Sequence, residues 1–100
     1  MLDAEAQRLT EELPPLGVLR MYLTGDYAVG IVTPDTVLEL LIVQKTTEPY
    51  HRRADFFFAH VRPRLGTRFL VYTPEEFESL ENEDPVIRRA VEQGEILIGG

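Results

Sequence analysis

The sequence predicts an α/β (α+β) fold, a small mixed sheet of three to four strands with helices packed against it. Three observations carry this expectation. Segments with apolar residues at helical intervals are interspersed with short β-prone runs, the pattern of a sheet with helices laid on it. One run, Val37 to Val43, is apolar at both parities except for Glu39, as expected of a central strand covered on both faces. The chain has 100 residues, 44% of them hydrophobic, which is one domain's length with an ordinary core content. Residues 1–100 are therefore expected to form a single domain.

The elements follow in order. Leu2, Ala6, Leu9 and Leu13 recur at helical spacing until Pro14 and Pro15 stop the pattern, predicting an amphipathic helix over 2–13. Gly17 opens Val18 to Leu23, a first strand with Arg20 inside it that ends at Thr24 and Gly25. Val37 to Val43 is the second strand. Tyr50 to Arg62 places Ala54, Phe57, Phe58 and Val61, then Leu65, at helical intervals before Pro63 and Gly66, predicting a helix with one apolar and one basic face. Phe56, Phe57 and Phe58 are consecutive, so at least one must leave the core or meet another subunit.

Thr67 to Tyr72 reads as the third strand. In the residues that follow, Thr73 can cap a helix begun by Pro74 and be answered by Glu76. Asp84 and Pro85 repeat that logic for a last helix through Val91, closed by Gly94. Ile96 to Ile98 can add a short final strand.

The formal net charge is −7, a field that repels phosphate backbones and disfavours nonspecific nucleic-acid binding. The basic residues are uneven, since Arg52, Arg53, Arg62, Arg64 and Arg68 share one stretch with His51 and His60. Two readings of that stretch stand, a local anion site and a solvated helix face. The two histidines are too far apart along a helix to chelate one metal. With no cysteine, disulfides and thiolate metal sites are excluded and a reducing compartment is compatible. Residues 1–13 lack a basic end followed by an apolar run, and no stretch is long enough to span a bilayer. The cytoplasm is the expected location, without membrane association. A domain this small leaves much of its surface in water, so a protein partner or homo-oligomer is expected.

Two blocks resemble a known family. The first is Tyr22, Leu23, Thr24, Gly25, Asp26, Tyr27, Ala28, Val29, Gly30, followed by Thr33, Pro34, Asp35, Thr36, Val37, Leu38, Glu39, Leu40, Leu41, Ile42, Val43. The second is VYTPEEFESL over 71–80 with NEDPVIRRAVEQGEILIGG over 82–100. Together, in this order and at this separation, they resemble the minimal nucleotidyltransferases of the DNA-polymerase-beta-like superfamily, over nearly the whole chain. In that family the first block typically reads LFGSRARG, a few residues, then PDSDIDLLVV.

The resemblance implies chemistry in three parts, and this chain departs from each. A glycine and a small hydroxyl residue at a helix start let backbone amides approach a triphosphate. Gly25 keeps the glycine and Gly30 the later one, but Asp26 takes the hydroxyl position. Two unit charges 4 Å apart repel by about 4 kcal/mol at an effective dielectric near 20. Asp26 also reads as a helix cap that occupies the same amides. Next, paired aspartates at i and i+2 of one strand hold divalent metal against the phosphates. Val37 and Glu39 stand there, and valine offers no oxygen. Asp35 shares the parity of Glu39 but sits about 13 Å away along an extended strand. Last, a general-base aspartate on the strand before the YTPEE block corresponds to Arg68, which cannot accept a proton.

Glu39 therefore has two readings. It is a retained acid, or it is a structural carboxylate paired with Arg68 on a neighbouring strand. The resemblance implies a noncatalytic nucleotidyltransferase-fold protein, a pseudoenzyme acting through protein interaction, and its toxin–antitoxin associations imply a helical partner of the HEPN type. No cofactor is expected under that reading. The alternative is an active enzyme transferring AMP from ATP with Mg²⁺ at a shifted site of Asp26, Asp35 and Glu39. A third reading is a nucleotide-binding regulator that uses the arginine face.

Overall fold

A computed structural model describes residues 2–25, 30, 36–63 and 66–99. Helix α1 (Leu2–Glu12) is followed by a single 3-10 turn (Pro14–Leu16) and strand β1 (Val18–Thr24). Strand β2 (Leu38–Gln44), helix α2 (Tyr50–Val61) and strand β3 (Thr67–Tyr72) come next. Helix α3 (Pro74–Leu80), helix α4 (Pro85–Gln93) and strand β4 (Glu95–Ile98) complete the order. The strands form one mixed sheet in the order β3-β2-β1-β4, with β1 antiparallel to both neighbours and β2 parallel to β3. The predicted fold class is the one observed.

The two parities of β2 explain why its sequence is apolar throughout. Leu38, Leu40 and Ile42 pack with Met21, Leu23, Phe69 and Val71 beneath Leu9 of α1, Leu13 just after it, and Phe57 and Val61 of α2. Leu41 and Val43 face the other way, with Tyr22 and Tyr72, and meet Phe77 of α3 and Ile87 and Ala90 of α4. Helices thus cover both faces of the sheet, and the strand between them has no parity left for solvent. Only Glu39 and Gln44, near the two ends of β2, are partly open to water.

Boundaries shift slightly from the expected ones. Val37 lies just before β2 and is 42% exposed. Leu13 is outside α1 yet fully buried. Helix α2 ends at Val61 because Arg62, restricted by the following proline, turns into the left-handed region with φ 43° and returns its N–H to Phe58 O. Of the three phenylalanines, Phe57 is fully buried while Phe56 and Phe58 remain 38% and 41% exposed.

The caps form as the local chemistry requires. Thr73 Oγ1 accepts from Glu76 N at 3.1 Å, and Glu76 Oε1 accepts from Thr73 N at 2.9 Å. Asp84 Oδ1 accepts from Val86 N at 2.8 Å. Replacing Thr73 with alanine removes half of that reciprocal pair. The expected loss is about 1 kcal/mol of unfolding free energy, measurable by urea titration.

Candidate functional site

Strand register sets the site. Thr24 at the end of β1 stands opposite Glu39 near the start of β2, and Glu39 stands opposite Arg68 near the start of β3. Register partners project from the same face of a sheet, so the three side chains form one row. Thr24 is buried, Glu39 is partly exposed and Arg68 is open to solvent. Arg68 Nη1 donates to Glu39 Oε1 at 3.1 Å. The ion pair with Arg68, one of the two readings of Glu39, is present.

Gly25 closes the row from the side. Its φ is +79°, and a Cβ built on it would collide with the carboxylate of Glu39. The space that the glycine leaves is therefore filled by Glu39.

The remaining candidates fall into two groups. Asp26 and Asp35, like Arg64, lie outside the described residues. Gly30 adopts φ +87°, and no atom of the described residues lies within 4 Å of where a Cβ would point. Val37 brings only methyl groups, one of them 3.5 Å from where a Cβ would sit on Gly66. Among the described residues no three His, Cys, Asp or Glu side chains gather as a metal-binding group.

Chemically, the row offers one carboxylate bound to one guanidinium. One carboxylate gives Mg²⁺ a single protein side chain to bind, and this one already accepts from a cation. The guanidinium has donors and no acceptor, so it abstracts no proton.

The arginine-rich stretch divides. Arg52 and Arg62 are exposed, as are His51 and His60; His60 Nδ1 lies 2.8 Å from Phe56 O. Arg53 is neither part of a solvated face nor a free anion site. It is 8% exposed, and Nε donates to Glu48 O at 2.8 Å while Nη1 donates to Val71 O at 3.2 Å. Nη1 and Nη2 also clasp the Glu76 carboxylate at 2.5 and 3.1 Å. The guanidinium lies 5.8 Å from the centre of the Tyr50 ring, within cation–π range. Its position was readable, because residues 53, 57 and 61 fall on one helical stripe with Phe57 and Val61.

Arg53 also sets the charge state of its partner. Hydrogen bonding from Arg53, reinforced by the Thr73 amide, holds Glu76 below the ordinary glutamate range despite partial burial. Burial, with a hydrogen bond to Tyr50, pushes Tyr72 above the ordinary tyrosine range. Tyr72 is therefore a neutral hydroxyl and no base.

No family model, curated protein or solved structure matches this chain. No helix among the described residues is long and apolar enough to cross a membrane.

Proposed function

We propose that the chain is a noncatalytic, nucleotidyltransferase-like protein that acts by binding another protein. The observation that supports this reading most is the closure of the Gly25, Glu39 and Arg68 row. The single strand carboxylate is paired with Arg68 and lies in the space over Gly25. A triphosphate would have to displace that carboxylate, and a magnesium ion would have to compete with the guanidinium for it. Val37 at the companion position contributes no oxygen. The partner under this reading is a protein, of the small helical HEPN type that the resemblance implies.

Calorimetric titration of the full chain with ATP and Mg²⁺ tests the proposal. No heat of binding is expected at high protein concentration, and no label should pass from labelled ATP to protein or nucleotide acceptors with Mg²⁺ or Mn²⁺. Transfer that disappears in Glu39→Ala would overturn the proposal and establish an enzyme built on Glu39.

A further inference from the structure

Resting on the reading of the chain as an interaction protein, we infer that a groove between the start of β1 and α3 docks a partner segment that is both apolar and basic. The groove has a volume of about 350 Å³ and is lined by Leu19, Arg20, Val43, Pro74, Phe77, Glu78 and Glu81. Val43 and Phe77 are 3% and 5% exposed and form its apolar base. Leu19 lies where the pairing of β1 with β2 shifts register between Val18 and Arg20. A bulge re-aims a side chain, and Leu19 is left 48% exposed.

Charge selects the occupant. From Phe69 to Ile87 the chain has no lysine or arginine but carries Glu75, Glu76, Glu78, Glu81, Glu83 and Asp84. Glu76 is committed to Arg53 and Asp84 to the cap of α4. Glu75, Glu78, Glu81 and Glu83 form no ion pair among the described residues. Arg20 is the opposing cation, with its guanidinium 6.0 Å from the centre of the Phe77 ring as part of the wall. The rim is therefore net acidic on a molecule of charge −7, and the potential attracts cations from a distance. A second copy of this chain carries the same net charge of −7, which makes it the poorer match for an acidic rim. A leucine-like side chain filling the groove, with lysines or arginines flanking it against Glu78 and Glu81, matches both the shape and the charge.

Amide chemical-shift mapping of the ¹⁵N-labelled full chain tests this. The probe is an acetylated, amidated peptide of alternating leucine and lysine, compared with the same peptide carrying glutamate for lysine. The lysine peptide should perturb Leu19, Arg20, Val43, Phe77, Glu78 and Glu81 first, and raised salt should weaken it. Its affinity should fall about tenfold in Glu78→Lys/Glu81→Lys. Both positions lie at the C-terminal end of α3, where cations suit the helix dipole, so the variant should fold. Glu11→Lys/Glu48→Lys changes net charge equally on exposed sites elsewhere and should leave affinity within about twofold of the original. Equal response to the glutamate peptide, equal weakening in the second variant, or no perturbation at the groove would overturn the inference. Those outcomes leave the noncatalytic reading intact, because the ATP titration decides that question; nucleotide transfer would remove that reading whatever the peptides do.

Discussion

Arg53→Met should lower the unfolding free energy by about 3 kcal/mol, measured by urea or thermal denaturation. The substitution keeps a long side chain in the space between α2, β3 and α3 and removes only the hydrogen-bonding head. Glu48 O, Val71 O and the Glu76 carboxylate then lose the guanidinium, and among the described residues Glu76 keeps only Thr73 N as a donor. Breaking a buried ion pair by removing one partner costs about 3–5 kcal/mol. The lower end applies because the Glu76 side chain is 39% exposed and water can reach it once Arg53 is gone. Glu76→Gln should cost less, about 2 kcal/mol, since one amide oxygen in the place of Oε1 still accepts from Thr73 N and Arg53 Nη1, while the amide nitrogen faces Nη2 donor to donor. Arg53→Lys should not restore stability, because a single ammonium cannot reach a carboxylate bidentately and two carbonyls as well.

The same pair gives the acid response a sign. Glu76 is held below its ordinary value of 4.5 in the folded chain, so the unfolded chain binds its proton first as pH falls. Its contribution is complete above that ordinary value and is lost progressively as pH drops from there through the lowered folded value. Arg53→Met should flatten this component. The difference in stability between the original and the variant should therefore shrink as pH falls below about 4.5.

What the sequence made legible divides by the range of the physics. The caps at Thr73 and Asp84 are local, with donor and acceptor within three residues, and both form as read. Strand β2 was legible because cover on both faces removes the polar parity. The Glu39–Arg68 pair was one of two readings of Glu39, reached through the resemblance; its parallel register, with each the second residue of its strand, came only from the fold. Arg53 was harder. Its stripe with Phe57 and Val61 shows that it faces inward, but Glu76 lies 23 residues on, and only the packing of α2 beside β3 joins them. The groove at Leu19 was illegible for a different reason. A shift of one residue changes which side chains face outward, and nothing in Val18 to Leu23 marks where the shift falls. The contact of Glu39 with Gly25 required both the register of β1 on β2 and the left-handed φ of the glycine.

That contact predicts a coupled effect in which Gly25→Ala should cost about 2 kcal/mol, measured by urea denaturation, from two sources of similar size. An alanine held at φ +79° pays about 1 kcal/mol for the clash of its Cβ with its own backbone. Its Cβ would also take the position now held by the Glu39 carboxylate, driving that group out and loosening its bond to Arg68. Since Arg68 is 65% exposed, the pair itself contributes at most about 1 kcal/mol. Glu39→Ala alone should therefore be mild. In the Glu39→Ala background, Gly25→Ala should cost only the backbone share, leaving a coupling of about 1 kcal/mol between the two sites. Equal costs in both backgrounds would mean that Glu39 does not rest on Gly25, and the closed row that argues against catalysis would lose its central contact.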